Sequence, residues 1–191
     1  MSEYAVERRA PSVGSWGMAM FIAAEATLFG CFIGTYFYLR FLAIHWPPLG
    51  DPQPKVVLPL VLVAILAATS VPMQLAVRAA AAGRVAATRA FVALALLVQA
   101  GYFAYEIDDY LGQLHRLAPS HDAYSSIYFV MLGADHGHVG IGLLFDVWLL
   151  GKLVTGLTPY RVNAAKAIAF YWHAVNVLTL VVVGVLLSAT V

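Results

Sequence analysis

The amino-acid sequence predicts an all-α protein, a polytopic membrane bundle of five transmembrane helices that forms a single membrane domain over residues 1–191. Charged residues make up 11% of the chain and hydrophobic residues 62%, whereas a soluble domain carries about 25% charged residues. Five stretches contain the roughly 20 apolar residues that a helix needs to cross a bilayer core. The polar segments between these stretches are too short to form a soluble domain.

The five predicted spans follow one another with short polar breaks. They run from about Ser15 to Phe41, Val56 to Ala80, Ala87 to Tyr110, Tyr124 to Leu150, and Ala164 to Val191. The first break, HWPPLGDPQPK, contains four prolines, which cannot continue a helix. The second break, around Gly83, is so short that the second and third spans are expected to form an antiparallel pair. Pro72 lies midway along the second span and predicts a kink there.

Lysine and arginine residues predict the orientation, because cytoplasmic loops carry an excess of them. The N-terminal side of the predicted bundle holds eight: Arg8, Arg9, Arg78, Arg84, Arg89, Lys152, Arg161 and Lys166. The opposite side holds three: Arg40, Lys55 and Arg116. We therefore expect a bacterial cytoplasmic membrane protein with its N-terminus in the cytoplasm and its C-terminus outside. A net charge of +1 does not create the positive electrostatic potential that attracts nucleic acid, so no nucleic-acid partner is expected.

Several ionisable side chains fall inside the predicted spans, where they are costly and usually face protein or water. Glu25 lies about ten residues into the first span, roughly 15 Å from its start. His138 and His173 lie at comparable depth in the fourth and fifth spans. We predict that these three residues form a buried polar cluster in which Glu25 is hydrogen-bonded to one of the two histidines. The other buried polar positions expected are Asp135, His136 and Asn176.

Two roles for this cluster remain open on the sequence alone. One is structural, with a carboxyl that joins helices through a hydrogen bond. The other is a carboxyl that exchanges protons or gates a pathway. A neutral carboxyl, which a low dielectric favours, fits both roles. Contact with a partner subunit or with lipid is a third interpretation.

Metal ligation and catalysis have little support in the sequence. His136 and His138 are two residues apart and would point about 200° away from each other on a helix. The single cysteine cannot form a copper-binding pair. We therefore expect no metal, cofactor or catalytic residue in this chain. Two GxxxG patterns, Gly30 with Gly34 and Gly133 with Gly137, mark possible close helix contacts.

Four segments resemble, in order, those of cytochrome c oxidase subunit III, a family of haem-copper oxidase subunits. SWGMAMFIAAEATLFGCFIGTYFYLR resembles the family's helix with a membrane-embedded glutamate, in the place of Glu25. WPPLG, from Trp46 to Gly50, resembles a loop of the family. YFVMLGADHGHVGIG and YWHAVNVLTL resemble its histidine-containing stretches through Gly133, His138, Val139, Gly142, Tyr171, Trp172, His173 and Val175.

The chain also departs from the family pattern at identifiable positions. Asp135 stands where the family has its first histidine, with His136 displaced by one residue. Asn176 replaces an aspartate, and Leu62-Val63 replace an Asn-Thr pair. Many members have seven helices, whereas we expect five here, without the first two, as in the five-helix bacterial form that the chain resembles.

The resemblance implies a non-catalytic subunit of an aerobic respiratory oxidase that couples oxygen reduction to proton pumping. Such a subunit stabilises catalytic subunit I, supports sustained turnover and proton uptake, and binds phospholipid. Haem and copper are expected in the partner subunits, and the other oxidase subunits or a larger respiratory supercomplex are further partners. A quinol oxidase or nitric oxide reductase subunit is the alternative within the family. A stand-alone proton-linked carrier is the alternative outside it, although five helices cannot be divided into two equal repeats.

Overall fold

The computed structural model describes residues 13–49 and 55–190. It contains five helices that are long and apolar enough to span a membrane, in agreement with the predicted all-α membrane bundle. No strand occurs in these two ranges. We number the helices α1 (Val13–Leu42), α2 (Val57–Ala68), α3 (Ser70–Ala81), α4 (Val85–Leu114), α5 (Ala123–Leu153) and α6 (Pro159–Leu187). Helices α2 and α3 together form the second span, Val57–Ala81. Arg8, Arg9, Gly50 and Val191, the predicted end of the fifth span, lie outside the described residues.

The second span is interrupted at Thr69, three residues before Pro72. Proline has no backbone N–H, so the carbonyl of Ala68 loses the donor that would lie four residues later in the chain. At the interruption, the backbone N–H of Thr69 donates to the carbonyl of Leu66 at 3.0 Å, and the Thr69 hydroxyl donates to the same carbonyl at 2.6 Å. The helix is therefore interrupted about one turn before the proline that predicts the kink.

The ends of the helices follow local sequence signals. Asp122 precedes α5 and its carboxylate accepts a hydrogen bond from the backbone of Ser125 at 2.7 Å. Thr158 precedes α6 and accepts from the backbone of Arg161 at 3.3 Å. Side-chain oxygens in this position satisfy the free N–H groups of a helix start. Because of its cap and the following Pro159, α6 begins five residues before the expected Ala164.

A tight turn makes α3 and α4 neighbours, as expected from the short second break. Gly83 has φ +72°, a conformation that glycine adopts without steric cost. The backbone N–H of Gly83 bonds to the carbonyl of Ala80, and that of Arg84 bonds to the carbonyl of Ala79. These bonds close the C-terminus of α3 and direct α4 back along it.

Helix α6 lies at the centre of the bundle and contacts α1, α2, α3 and α5. Among the described helices, α1 packs against α5 and α6. Most of its large side chains are exposed, including Trp16, Met20, Tyr38 and Phe41. We call the end of the bundle where α1 ends at Leu42 the distal end. The starts of α2 and α5 and the ends of α4 and α6 share that end, because successive spans run in opposite directions.

Candidate functional site

A carboxyl–imidazole pair joins α1 to α5 within the membrane-spanning region. The Oε2 atom of Glu25 lies 2.8 Å from Nε2 of His138. The other ring nitrogen, Nδ1, lies 2.7 Å from the backbone carbonyl of Ala134, one turn earlier in α5. The side chains are 21% exposed for Glu25 and 12% exposed for His138, so the pair lies near the surface of the bundle.

The hydrogen bond to Ala134 limits the proton arrangements of this pair. A carbonyl only accepts, so Nδ1 of His138 must carry a proton. Between Nε2 and the Glu25 carboxyl there is then one shared proton. If it is on Nε2, the pair is an imidazolium beside a carboxylate. If it is on Glu25, a neutral acid donates to a neutral imidazole. Both arrangements have zero net charge and preserve the same contact.

Aromatic packing holds His138 in place. The ring of Phe29, one turn after Glu25 on α1, meets the His138 ring edge-on with centroids 5.2 Å apart. The Tyr171 hydroxyl of α6 donates to the backbone carbonyl of His138 at 2.7 Å. The Tyr171 ring in turn contacts Phe21 of α1, with centroids 6.2 Å apart. Three helices therefore meet at this position.

His173 does not join this pair, and no hydrogen bond to it is found in the described part of the chain. Tyr171 is the residue of α6 that reaches His138, and His173 follows it by two residues. Two residues correspond to about 200° around a helix. His173 is therefore directed to the other side of α6, near the face from which Asn176 bonds to Ser70 at 2.8 Å. Comparable depth brought it into the expected cluster, but its rotation about the helix separates it.

The secondary polar positions are all buried, and they belong to different contacts. Asp135 is 2% exposed and its Oδ1 accepts from the Thr179 hydroxyl at 2.8 Å. His136 is 4% exposed, and its Nε2 lies 3.4 Å from Oε2 of Glu106 on α4. His136 and His138 thus contact helices on different sides of α5, as their two-residue spacing predicts. No group of three potential metal ligands occurs in the described residues.

The four glycines of the GxxxG patterns have different surroundings. Added Cβ atoms at Gly30, Gly34 or Gly137 would meet no described atom within 4 Å. A Cβ at Gly133 would lie 3.0 Å from the Tyr110 hydroxyl. The tightest position is Gly142, where a Cβ would lie 2.6 Å from the ring of the fully buried Trp172. The closest approach therefore occurs at Gly142, outside both GxxxG patterns, and a less tight one occurs at Gly133.

A second buried polar group, which the sequence analysis did not assemble, lies at the break in the second span. Gln99 of α4 and Asp146 of α5 are both 0% exposed. The side-chain amide of Gln99 is oriented so that its nitrogen can donate and its oxygen can accept a hydrogen bond. The nitrogen then lies 2.8 Å from Oδ2 of Asp146, and the oxygen lies 3.2 Å from the Thr69 hydroxyl. The lone glutamine in the apolar run LALLVQAGYF was the signal that could have indicated this contact.

The fold and these sites define a polytopic α-helical membrane protein whose intramembrane polar groups pair between helices. The sequence model for cytochrome c oxidase subunit III matches residues 10–187. The chain therefore belongs to the cytochrome c oxidase subunit III family. It is a subunit III of a haem-copper oxidase.

Three relatives illustrate the range of the family. A Nocardia farcinica protein named "Probable cytochrome c oxidase subunit 3" is 30% identical over 170 residues, covering 87% of this chain and 83% of that protein. The Corynebacterium diphtheriae "Cytochrome c oxidase subunit 3" is 30% identical, and the match covers 87% of this chain and 83% of that protein. The Bacillus subtilis "Quinol oxidase subunit 3" is 29% identical, covering 84% and 79%.

Proposed function

We propose that this subunit III carries no redox centre and acts by stabilising the catalytic subunit I of a bacterial cytochrome c oxidase. The observation that carries the proposal is the family match over residues 10–187. Haem and copper then belong to partner subunits. The described histidines agree with this division, because His136 and His138 are each engaged with a different helix and do not converge.

The exposed surface of α1 supports a role in assembly. Trp16 is 61% exposed, Met20 72% and Tyr38 65%. In a membrane such side chains face lipid or another membrane protein. The Glu25–His138 pair fixes α1 to α5 behind this surface. We therefore assign this pair to holding α1 in place, with subunit I and bound phospholipid as the partners of the bundle.

The electron donor separates the two oxidase types among the relatives. One relative is named as a quinol oxidase subunit, while two carry cytochrome c oxidase names at slightly higher identity. We propose the cytochrome c form, in the bacterial cytoplasmic membrane, with the N-terminus in the cytoplasm. The charge count along the chain supports that orientation.

Purification through an affinity tag on this chain in mild detergent tests the proposal. Mass spectrometry should identify a haem-copper catalytic subunit in the complex, and the complex should oxidise reduced cytochrome c. Deleting the chain should leave the haem spectrum and initial electron transfer largely intact. Activity should then decline over repeated turnovers, and proton uptake should slow at alkaline pH. Recovery of the chain with no oxidase subunit would contradict the proposal, and oxidation of quinol but not cytochrome c would indicate the other oxidase type.

A further inference from the structure

A cavity opens at the distal end of the bundle, on the side away from Glu25. It has a volume of about 330 Å³ and lies between α2, α4, α5 and α6. At roughly 30 Å³ for each water molecule in the liquid, it has room for on the order of ten. Leu58 and Leu62 of α2 and Val183 of α6 form apolar walls, whereas the α4 wall is polar.

The polar wall carries an excess of acidic groups. The cavity is lined by three carboxylates, Glu106, Asp108 and Asp109, and by two basic side chains, Lys55 and Arg116. Lys55 lies 3.3 Å from Asp109, so one acid is already paired. Charged groups around a cavity of this size require hydration, because an unpaired charge without water is very costly. The composition of this wall therefore favours a water-filled space.

Glu106 connects the cavity to a buried histidine. Its side chain is 17% exposed and lines the cavity, while its Oε2 lies 3.4 Å from Nε2 of His136. His136 is 4% exposed, and its Nδ1 has no hydrogen-bond partner among the residues that the structure describes. The Tyr110 ring packs edge-on against His136, with centroids 5.4 Å apart. A carboxyl that lines the cavity thus lies beside an imidazole that is otherwise enclosed.

We propose that the distal cavity holds water and allows the Glu106–His136 pair to exchange protons with the aqueous phase at the distal end. A proton from this water reaches the pair through Glu106. A neutral imidazole beside a carboxylate, with a net charge of −1, then becomes an imidazolium–carboxylate pair of net charge zero. Release of the proton to water reverses the step. The ligand of this site is therefore the proton itself, carried by water.

Titratable and charged groups from the neighbouring helices surround the Glu106–His136 pair. From α4 and α5, the titratable neighbours of Glu106 are tyrosines and carboxyls. From α2 and α6, the cavity receives only apolar side chains, and Lys55 and Arg116 lie in the segments next to α2 and α4. The titratable or charged groups near the pair are Tyr102, Tyr105, Asp108, Asp109, Tyr110, Tyr128, Asp135, Lys55 and Arg116. His136 is the imidazole among them.

Cysteine accessibility tests whether the cavity contains water. Leu132 lines the cavity, whereas Val130 is 49% exposed on α5 and does not line it. Val130 is two residues nearer the distal end, so depth alone would favour its labelling. The test uses Leu132→Cys and Val130→Cys with Cys31→Ser, because Cys31 is an exposed thiol. The reagent is a charged methanethiosulfonate, applied to the complex in membranes opened by freeze-thawing so that both faces are reachable.

Leu132→Cys should react at least roughly tenfold faster than Val130→Cys, because only a hydrated thiol forms the reactive thiolate readily. Equal rates, or faster labelling of Val130→Cys, would overturn the water-filled cavity. The comparison leaves Glu106 and His136 unchanged. It also does not depend on which oxidase the chain joins.

Infrared spectroscopy tests proton exchange at the pair itself. Acid-minus-alkaline difference spectra of the purified complex with isotope-labelled histidine should contain an imidazolium band that His136→Gln lacks. His138→Gln provides the control and should retain that band, because His138 contacts Glu25 on the opposite side of α5. A spectrum in which no band depends on His136 would refute the proton-binding site, whatever the labelling rates.

Discussion

Replacing Glu25 with glutamine distinguishes a structural role of this carboxyl from a proton-exchanging one. Glutamine has nearly the same shape, and its amide N–H can donate to Nε2 of His138 as a neutral carboxyl does. The observed separation of 2.8 Å is a normal hydrogen-bond length and need not change. Under the structural role that we favour, Glu25→Gln should assemble normally and retain turnover near that of the wild type.

The size of the effect follows from what each substitution leaves unpaired. Hydrogen bonds between membrane helices contribute about 0.6 kcal/mol on average and at most about 1.7. Glu25→Gln preserves such a bond and should cost less than about 1 kcal/mol. Glu25→Ala removes it and leaves the partly buried Nε2 of His138 without its partner, at a cost of about 1–3 kcal/mol. Glu25→Ala should therefore loosen α1, while glutamine should not.

Two measurements on the purified complex check this reasoning. The temperature at which the subunit dissociates should be highest for the wild type, slightly lower for Glu25→Gln and lowest for Glu25→Ala. Turnover measured over many cycles should decline for Glu25→Gln at the wild-type rate. If Glu25→Gln assembles fully but inactivates as fast as the oxidase without this subunit, the carboxyl must exchange protons, and the structural role is refuted.

Three further predictions follow from the packing, the charge distribution and the ligand geometry. Gly142→Ala should destabilise the chain by about 1–3 kcal/mol through overpacking, because its Cβ would lie 2.6 Å from Trp172. The matched control is Gly137→Ala, whose Cβ would meet no described atom within 4 Å. Equal thermal stability of the two variants would contradict the close packing. Reporter fusions after Arg84 and after Arg116 should indicate the cytoplasm and the outside, respectively, whereas an outside signal after Arg84 would reverse the topology. The purified single chain should contain no stoichiometric haem or copper by elemental analysis and absorption spectroscopy, and stoichiometric metal would contradict the assignment of redox centres to the partners.

The polar contacts were only partly predictable, because depth and rotation carry different information. Depth follows from residue counting at 1.5 Å per residue, and it placed Glu25 at the level of both histidines. The choice of His138 depends on which faces of α1, α5 and α6 meet. Tyr171 lies on the face of α6 that meets α5 at His138, so His173, two residues later, is directed to the other side of α6. The link between Gln99 and Asp146 likewise required the relative position of two helices.

The elements that depend on local chemistry and on the bilayer could be predicted from the amino-acid sequence. Long apolar stretches specify spanning helices because a backbone in lipid must satisfy its own hydrogen bonds. Pro72 specifies the break at Thr69 because it removes one backbone donor. The pairing of the polar groups and the position of the distal cavity, in contrast, depended on the packing of the helices. Those features depend on how the helices rotate and separate, and similarly apolar faces allow several packings until the small residues and buried aromatic rings select one.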